Sequence, residues 1–249
     1  MGVNRFFISR SDIQGDQVRL GREQAHQVCH VLRLKPGDTI VVLDNDGMEC
    51  DVTLTTVRPV EVAGQVAGRR RAHGEPTVQV TLFQSLLTRE KFEWVLQKGT
   101  EVGVTEFVPM QTERSLLRAR VIEEKRLDRW RRIVTEAAEQ SHRGRIPTVE
   151  PAITFHDAVA QLKDYGRSII AAPCDEAATL REALQDITGP PASVAIMIGP
   201  EGGFTDEEVA LACEKDAVRV GLGPRVLRTE TAAVVACALV LYELGDMGR

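Results

Sequence analysis

The chain has 249 residues, 43% of them apolar and 27% charged, enough to bury a core in one large or two modest domains. Aromatics make up 4%, so aliphatic packing must dominate that core, and a net charge of −5 speaks weakly against a nucleic-acid partner. The start, Met1 to Phe7, carries no signal-like apolar run, and the longest near-apolar stretch, Ala232 to Tyr242, falls short of the roughly 20 residues a bilayer span needs; a cytoplasmic protein is expected. The five cysteines (Cys29, Cys50, Cys174, Cys213, Cys237) are scattered, with no Cys-x-x-Cys pair and no His at zinc-ligand spacing, so reduced thiols and no metal are expected.

The first third reads as a β-rich domain. Arg5–Ile8 is a predicted strand, and Glu23–Leu34 a short helix with Val28, Val31 and Leu32 on one side. Pro36-Gly37-Asp38 turns into a strand at Thr39–Leu43, and Asp46-Gly47 signals a hairpin, because glycine accepts the positive φ of a primed turn. Glu49–Val57 returns with Cys50, Val52 and Leu54 alternating, and Pro59–Ala67 supplies a further strand. Short strands around one helix suggest a small barrel, residues 1–70. Residues 68–76, containing Arg69-Arg70-Arg71 and ending in Pro76, read as a linker.

From residue 76 to 249 strands and helices alternate. Strands are expected at Val78–Phe83, Glu106–Met110, Ser168–Ala172, Ala195–Ile198 and Val218–Leu222. Helices are expected at Glu90–Val102, Val121–Gln140, near Ala177–Leu184, at Asp206–Glu214 and from about Glu230 to Leu244. The fold class is α/β, a largely parallel sheet covered on both faces. Charge is uneven: Arg114–Arg145 holds ten Lys/Arg against five Asp/Glu, whereas Pro173–Asp216 holds two against ten. A basic run is either a solvated helix face or a phosphate-binding surface.

Two loops carry the chemistry. In Ile196-Met197-Ile198-Gly199-Pro200-Glu201-Gly202-Gly203-Phe204-Thr205, a strand ends in a glycine-rich turn, and Thr205 with Glu208 forms a capping box that opens a helix. Ligands in open α/β sheets bind beyond the carboxyl ends of strands, although glycines here could equally serve only the turn. The spacing is neither Gly-x-Gly-x-x-Gly nor a P-loop. Glu201, Asp206, Glu207 and Glu208 crowd the helix start and oppose a pyrophosphate. S-adenosylmethionine, with a sulfonium, an ammonium and one carboxylate, suits that charge better. In the second loop, Gly221-Leu222-Gly223-Pro224-Arg225-Val226-Leu227-Arg228-Thr229-Glu230, another strand ends in Gly and Pro before a helix capped by Thr229 or Thr231. Its arginines and Glu230 are either a site or a surface ion pair.

Together, Ile198-Gly199-Pro200-Glu201-Gly202-Gly203 and Leu222-Gly223-Pro224-Arg225-Val226-Leu227-Arg228-Thr229-Glu230-Thr231-Ala232 resemble the signature of the RsmE family of 16S ribosomal RNA (uracil-N3) methyltransferases, in the SPOUT superfamily. The resemblance extends to Arg5-Phe6-Phe7, His30-Val31-Leu32-Arg33, Gln97-Lys98, Glu101-Val102-Gly103 and Glu139-Gln140-Ser141. It implies a PUA-like RNA-binding β-barrel followed by a SPOUT α/β domain with a trefoil knot, forming a homodimer. It also implies a reaction giving 3-methyluridine near the decoding region of 16S rRNA, within the small ribosomal subunit.

On this reading S-adenosylmethionine is the cofactor, held by Ala172, Gly199, Glu201, Gly202, Leu222, Gly223 and Leu227. Arg228 and Glu230 are the candidate catalytic residues: Arg228 to stabilise the uracil anion, Glu230 to orient it or to relay the N3 proton. RNA contacts are expected from Arg5, Arg10, Arg33, Arg69, Arg70, Arg71, Arg89, Lys91 and Arg143. Two rival readings remain: a non-catalytic RNA-binding assembly factor on the same fold, and a nucleotide-dependent α/β enzyme, which would need a phosphate site.

Overall fold

A computed structural model describes residues 3–119, 124–172, 177–185, 187 and 193–248. Expectations at residues 121–123 and at Cys174 lie outside them. The chain divides into two compact units: residues 1–75 with 138–146, and residues 76–137 with 147–249.

The first unit holds a six-stranded sheet in the order β1-β4-β5-β6-β3-β2. Its strands are β1 (Arg5–Phe7), β2 (Ile13–Gln14), β3 (Gln17–Leu20), β4 (Thr39–Leu43), β5 (Met48–Arg58) and β6 (Glu61–Arg71). Only β1 runs parallel to its neighbour, β4. The β4–β5 turn is the expected hairpin, with Asn45 and Gly47 at φ 60° and 91°. In β5 the alternation holds: Cys50, Val52 and Leu54 point into a core shared with Phe6, Val18, Ile40 and Val62. The predicted helix divides into α1 (Arg22–His26) and a five-residue π-type turn, Gln27–Val31.

Residues 68–71 correct the linker expectation, because this segment is the closing stretch of β6. Its register sets Arg70 opposite Glu49 and Gly68 opposite Asp51. Arg70 is therefore a cross-strand partner of acids on β5, whereas Arg69 pairs with Asp16. Two short strands, β2 and β3, are additional to the expected elements.

The second unit is built on an eight-stranded, wholly parallel sheet, in the order β10-β8-β7-β13-β11-β14-β12 with β9 beside β8. Its strands are β7 (Gln79–Ser85), β8 (Glu106–Gln111), β9 (Thr148–Val149), β10 (Ile153–Thr154), β11 (Arg167–Ala171), β12 (Ala178–Thr179), β13 (Ser193–Ile198) and β14 (Ala217–Gly221). The helices are α2 (Arg89–Val102), α3 (Glu124–Gln140), α4 (Phe155–Gln161), α5 (Leu180–Ala183), α6 (Asp206–Glu214) and α7 (Thr229–Glu243). Strands buried on both faces read as continuous apolar runs, as residues 194–198 of β13 do. Phe155, Ala158, Val209 and Ala212, from α4 and α6, pack with Phe83, Val108 and Met197 on one side of the sheet. On the other side α7 packs on β7, β13 and α2. Cys237 in α7 is fully buried, which pushes its thiol up to about 12. Among the described residues no helix is long and apolar enough to cross a membrane.

Helices α2 and α3 are joined at Glu93, whose carboxylate accepts two bonds from Arg129, at 2.6 and 2.7 Å, and one from Arg89 at 2.9 Å. The hydrogen bond from Arg129 outweighs burial and, with Arg89, holds the Glu93 carboxyl at about 2, below its ordinary 4.5. A native pKa lowered in this way contributes stability above the unfolded value, and that stability is lost as pH falls from about 4.5 towards 2. Glu93→Gln is expected to cost about 1–2 kcal/mol at pH 7, the partial exposure of both arginines screening the pair. Urea unfolding at pH 7 and pH 3 should show the difference between the two proteins shrinking at the lower pH.

Candidate active site

The loops singled out in the sequence follow β13 and β14, two strands separated by one other in the sheet. Strand β11 lies between β13 and β14, with Ala171 opposite Ile198 on one side and Val220 on the other. Beyond these carboxyl ends opens a cavity of about 480 Å3, lined by Gly199, Pro200, Glu201 and Gly203 from one turn, and by Leu222 to Glu230 from the other. Its walls are largely apolar, from Ile198, Val220, Leu222, Leu227 and Ala232. The two turns are directly linked, because the Thr229 hydroxyl donates to the Gly199 carbonyl.

Each turn is shaped by its sequence. Thr205 and Glu208 form the expected reciprocal capping box on α6, and the other Glu208 oxygen accepts the Glu113 amide at 2.8 Å. Gly203 and Gly223 sit at φ 68° and 104°. A Cβ on Gly199 would stand 3.2 Å from the Phe204 ring and backbone nitrogen, tighter than an ordinary contact. The cap of α7 differs from expectation. Arg228 is the N-cap residue and, as a guanidinium with no acceptor, makes no side-chain cap, while the Thr229 hydroxyl donates to Gly199.

Of the predicted cofactor residues, Gly199, Glu201, Leu222, Gly223 and Leu227 line the cavity. Ala172 and Gly202 stand just outside it. The Ala172 carbonyl accepts from Arg219 at 2.8 Å, and that of Gly202 from Arg114 at 2.8 Å. Both are structural anchors of the flanking loops. Arg228 and Glu230 both line the cavity, and no hydrogen bond or ion pair joins their side chains. The Arg228 side chain has no hydrogen bond or ion pair among the described residues, its carbonyl alone accepting from the Ala232 amide at 2.8 Å, and Glu230 Oε2 is buried without a partner among them. Lys91, expected to meet RNA, instead lines the cavity and pairs with Glu201 at 2.8 Å. Burial opposes the Glu201 charge, yet the Lys91 hydrogen bond prevails and lowers its pKa. The turns place two carboxylates, Glu201 and Glu230, on the cavity beside Arg225 and Arg228.

The remaining predicted RNA contacts sort by exposure. The Arg5 side chain is little exposed and pairs with Glu49, and Arg143 is 2% exposed and bonded to Glu75 at 3.1 Å. Arg69 pairs with Asp16, Arg70 with Glu49 and Asp51, and Arg89 with Glu93, all partly exposed. Arg10 is 3.7 Å from Asp46 and largely exposed. Arg33 and Arg71 are exposed without a partner among the described residues. The functional side chains that sequence reasoning missed are Thr229, as a link between the turns, and Arg114, which also donates to the Phe204 carbonyl at 3.2 Å.

A parallel sheet with its cavity at the strand carboxyl ends, built from two glycine turns, fits an RNA methyltransferase. A family model described as an RNA methyltransferase domain matches residues 74–241. The chain belongs to the ribosomal RNA small subunit methyltransferase E family. It is 32% identical to the Bacillus subtilis protein of that name over 97% of both chains. It is 35% identical to the Synechocystis one over 95% of this chain and 76% of that one. Among solved structures, that of the Neisseria gonorrhoeae ribosomal RNA small subunit methyltransferase E bound to S-adenosylmethionine superposes with a TM-score of 0.87 at 31% identity, covering 99% and 100% of the two chains. A Legionella pneumophila methyltransferase in complex with the same cofactor gives 0.86 at 29% identity, over 97% and 98%.

Proposed function

We propose that the chain transfers a methyl group from S-adenosylmethionine to N3 of a uridine near the decoding region of 16S rRNA, within the small ribosomal subunit, giving 3-methyluridine. The observation that carries this reading is the single cavity made by the two glycine turns. Its donors and charges suit the cofactor: backbone groups at Gly199, Leu222, Gly223 and Leu227 for the adenine edge, and the carboxylate of Glu201, shared with Lys91, for a cationic ligand. When bound, S-adenosylmethionine supplies an electrophilic methyl carbon on sulfur.

The chain's own task is to make uracil N3 a nucleophile and align it. N3 must lose its proton before its lone pair can attack. The exposed, unpaired guanidinium of Arg228 stabilises the negative charge that develops over N3 and the flanking carbonyls. Glu230, with a buried carboxylate oxygen lacking any partner, accepts the departing proton. The apolar walls keep water from competing for the methyl group.

The wider picture on this reading is a PUA-like barrel in the first unit, a trefoil-knotted SPOUT domain in the second, a homodimer, and a cytoplasmic enzyme working where small subunits are assembled. Arg10, Arg33, Arg69, Arg70, Arg71 and Arg89 are the proposed RNA contacts. Arg33 and Arg71 carry the greatest weight because no carboxylate competes with phosphate for them. Replacing both with alanine is expected to weaken subunit binding. The slope of log affinity against log salt should fall by about 0.7–0.9 for each phosphate no longer neutralised, as filter binding across a salt series would measure.

The deciding experiment incubates the protein and labelled S-adenosylmethionine with small subunits lacking the modification, and examines nucleosides by mass spectrometry. 3-Methyluridine in 16S rRNA is the expected product. Cofactor binding with no transfer to any subunit preparation, or no cofactor binding at all, would favour a non-catalytic assembly factor.

A further inference from the structure

We infer that Gln84 is a positioning residue for the cofactor cavity, acting through Thr229 to hold the two glycine turns in register. The inference rests on the reading of that cavity as the S-adenosylmethionine site. Gln84 lies at the carboxyl end of β7, opposite Ile198, the last residue of β13 before the first glycine turn. It is completely buried and does not itself line the cavity. Its Nε2 donates to the Thr229 hydroxyl oxygen at 3.4 Å and to the Ser85 carbonyl at 3.2 Å.

The Thr229 hydroxyl in turn donates to the Gly199 carbonyl. The donor directions agree along the whole path. Thr229 has one hydroxyl proton, spent on Gly199, so it meets Gln84 as an acceptor, and a carboxamide nitrogen supplies what it needs. One chain of bonds thus runs from the middle of the sheet, through the first residue of α7, to the first glycine of the other turn.

Two further facts give this chain its purpose. The amino end of α7 has no side-chain cap, so the lateral bonds of Thr229 fix where Arg228 and Glu230 stand. Gln84 Oε1 is also buried with no partner among the described residues. An unsatisfied amide in a fully buried position costs stability that an apolar side chain of the same size would avoid. The site therefore keeps a glutamine for the one bond it makes towards Thr229. The turns are preorganised before the ligand arrives, which lowers the cost of binding it.

The test uses the full chain, with S-adenosylmethionine affinity read by calorimetry and KM values by methylation of small subunits. Gln84→Met is expected to raise the S-adenosylmethionine Kd by about 5- to 10-fold, the worth of one buried hydrogen bond, and to raise the KM for that cofactor while the KM for subunits stays put. Thr229→Val should cause a similar loss, and Thr229→Ser should recover affinity to within about twofold of the unaltered protein. Gln84→Met added to Thr229→Val should cost nothing more, since the link is already broken. Unchanged affinity in Gln84→Met, or losses that add in the double variant, would overturn the inference. Should Gln84→Met fail to fold, equal affinities for Thr229→Val and Thr229→Ser would do the same. Absence of binding by the unaltered protein is a separate result, which removes the cofactor reading itself and this inference with it.

Discussion

Arg228→Ala is expected to lower kcat by about 100- to 1,000-fold, the scale seen when one donor to a developing anion is removed from a preorganised site, while the Kd for S-adenosylmethionine changes little. The reasoning starts from what surrounds the guanidinium. Arg228 lines the cavity, is exposed, and has no carboxylate partner among the described residues. Two other cations line the cavity: Lys91, already engaged by Glu201 at 2.8 Å, and Arg225, exposed on the same turn as Arg228. Arg228 is an unpaired charge available to a substrate anion, and, unlike Arg225, its backbone is fixed as the N-cap residue of α7. Arg228→Lys should recover part of the rate, since the charge remains but the planar, forked donor set is gone. Single-turnover kinetics with cofactor in excess would measure both variants. Full turnover by Arg228→Ala would remove the arginine from the mechanism.

Gly223→Val should raise the S-adenosylmethionine Kd by about 10- to 100-fold, corresponding to roughly 1–3 kcal/mol of backbone strain. Gly223 sits at φ 104°, a conformation that β-branched residues avoid. A Cβ there would meet nothing within 4 Å, so the penalty comes from the backbone and not from crowding. The turn can relieve the strain only by rotating away, which moves Leu222 and Leu227 off the cavity wall. Gly203, at φ 68°, lies nearer the ordinary left-handed region, and an asparagine there should be tolerated better than valine at 223. Calorimetry, paired with a thermal melt to confirm folding, would decide, and wild-type affinity in Gly223→Val would show that this conformation plays no part in binding.

What the sequence discloses depends on how local the determining interaction is. The capping box at Thr205 and Glu208 spans three residues, so it is legible, and it is present. The parallel sheet is legible because apolar runs such as residues 194–198 need no partner to be recognised. Residues 68–71 look like a linker because the carboxylates that pair Arg70, Glu49 and Asp51, lie about twenty residues earlier, across a strand register that composition does not carry. Strand β2 has two residues, too few for any alternation to register. At the cavity, glycine turns and charged residues stand out, whereas Thr229 reads as a helix cap and Lys91 as a surface cation. Their partners, Gly199 and Glu201, are 30 and 110 residues away in sequence. Arg5 and Arg143 offer the sequence reader only their charge, and burial against Glu49 and Glu75 is a tertiary fact.

The first compact unit is discontinuous, because residues 138–146 return to it after the chain has begun the second. Glu75 accepts the amides of Gly144 and Arg145 at 2.8 and 3.0 Å, Glu139 accepts that of Phe7 at 2.9 Å, and Asn45 accepts that of Ile146 at 2.7 Å. During synthesis this unit cannot finish folding when its own first 75 residues emerge. It must wait for 71 more, a delay of about 4–14 s at the usual pace of 5–20 residues per second. For that interval the end of β1 and the β4–β5 turn stand without their hydrogen-bond partners, and a gene fragment stopping at residue 75 would leave them in that state permanently.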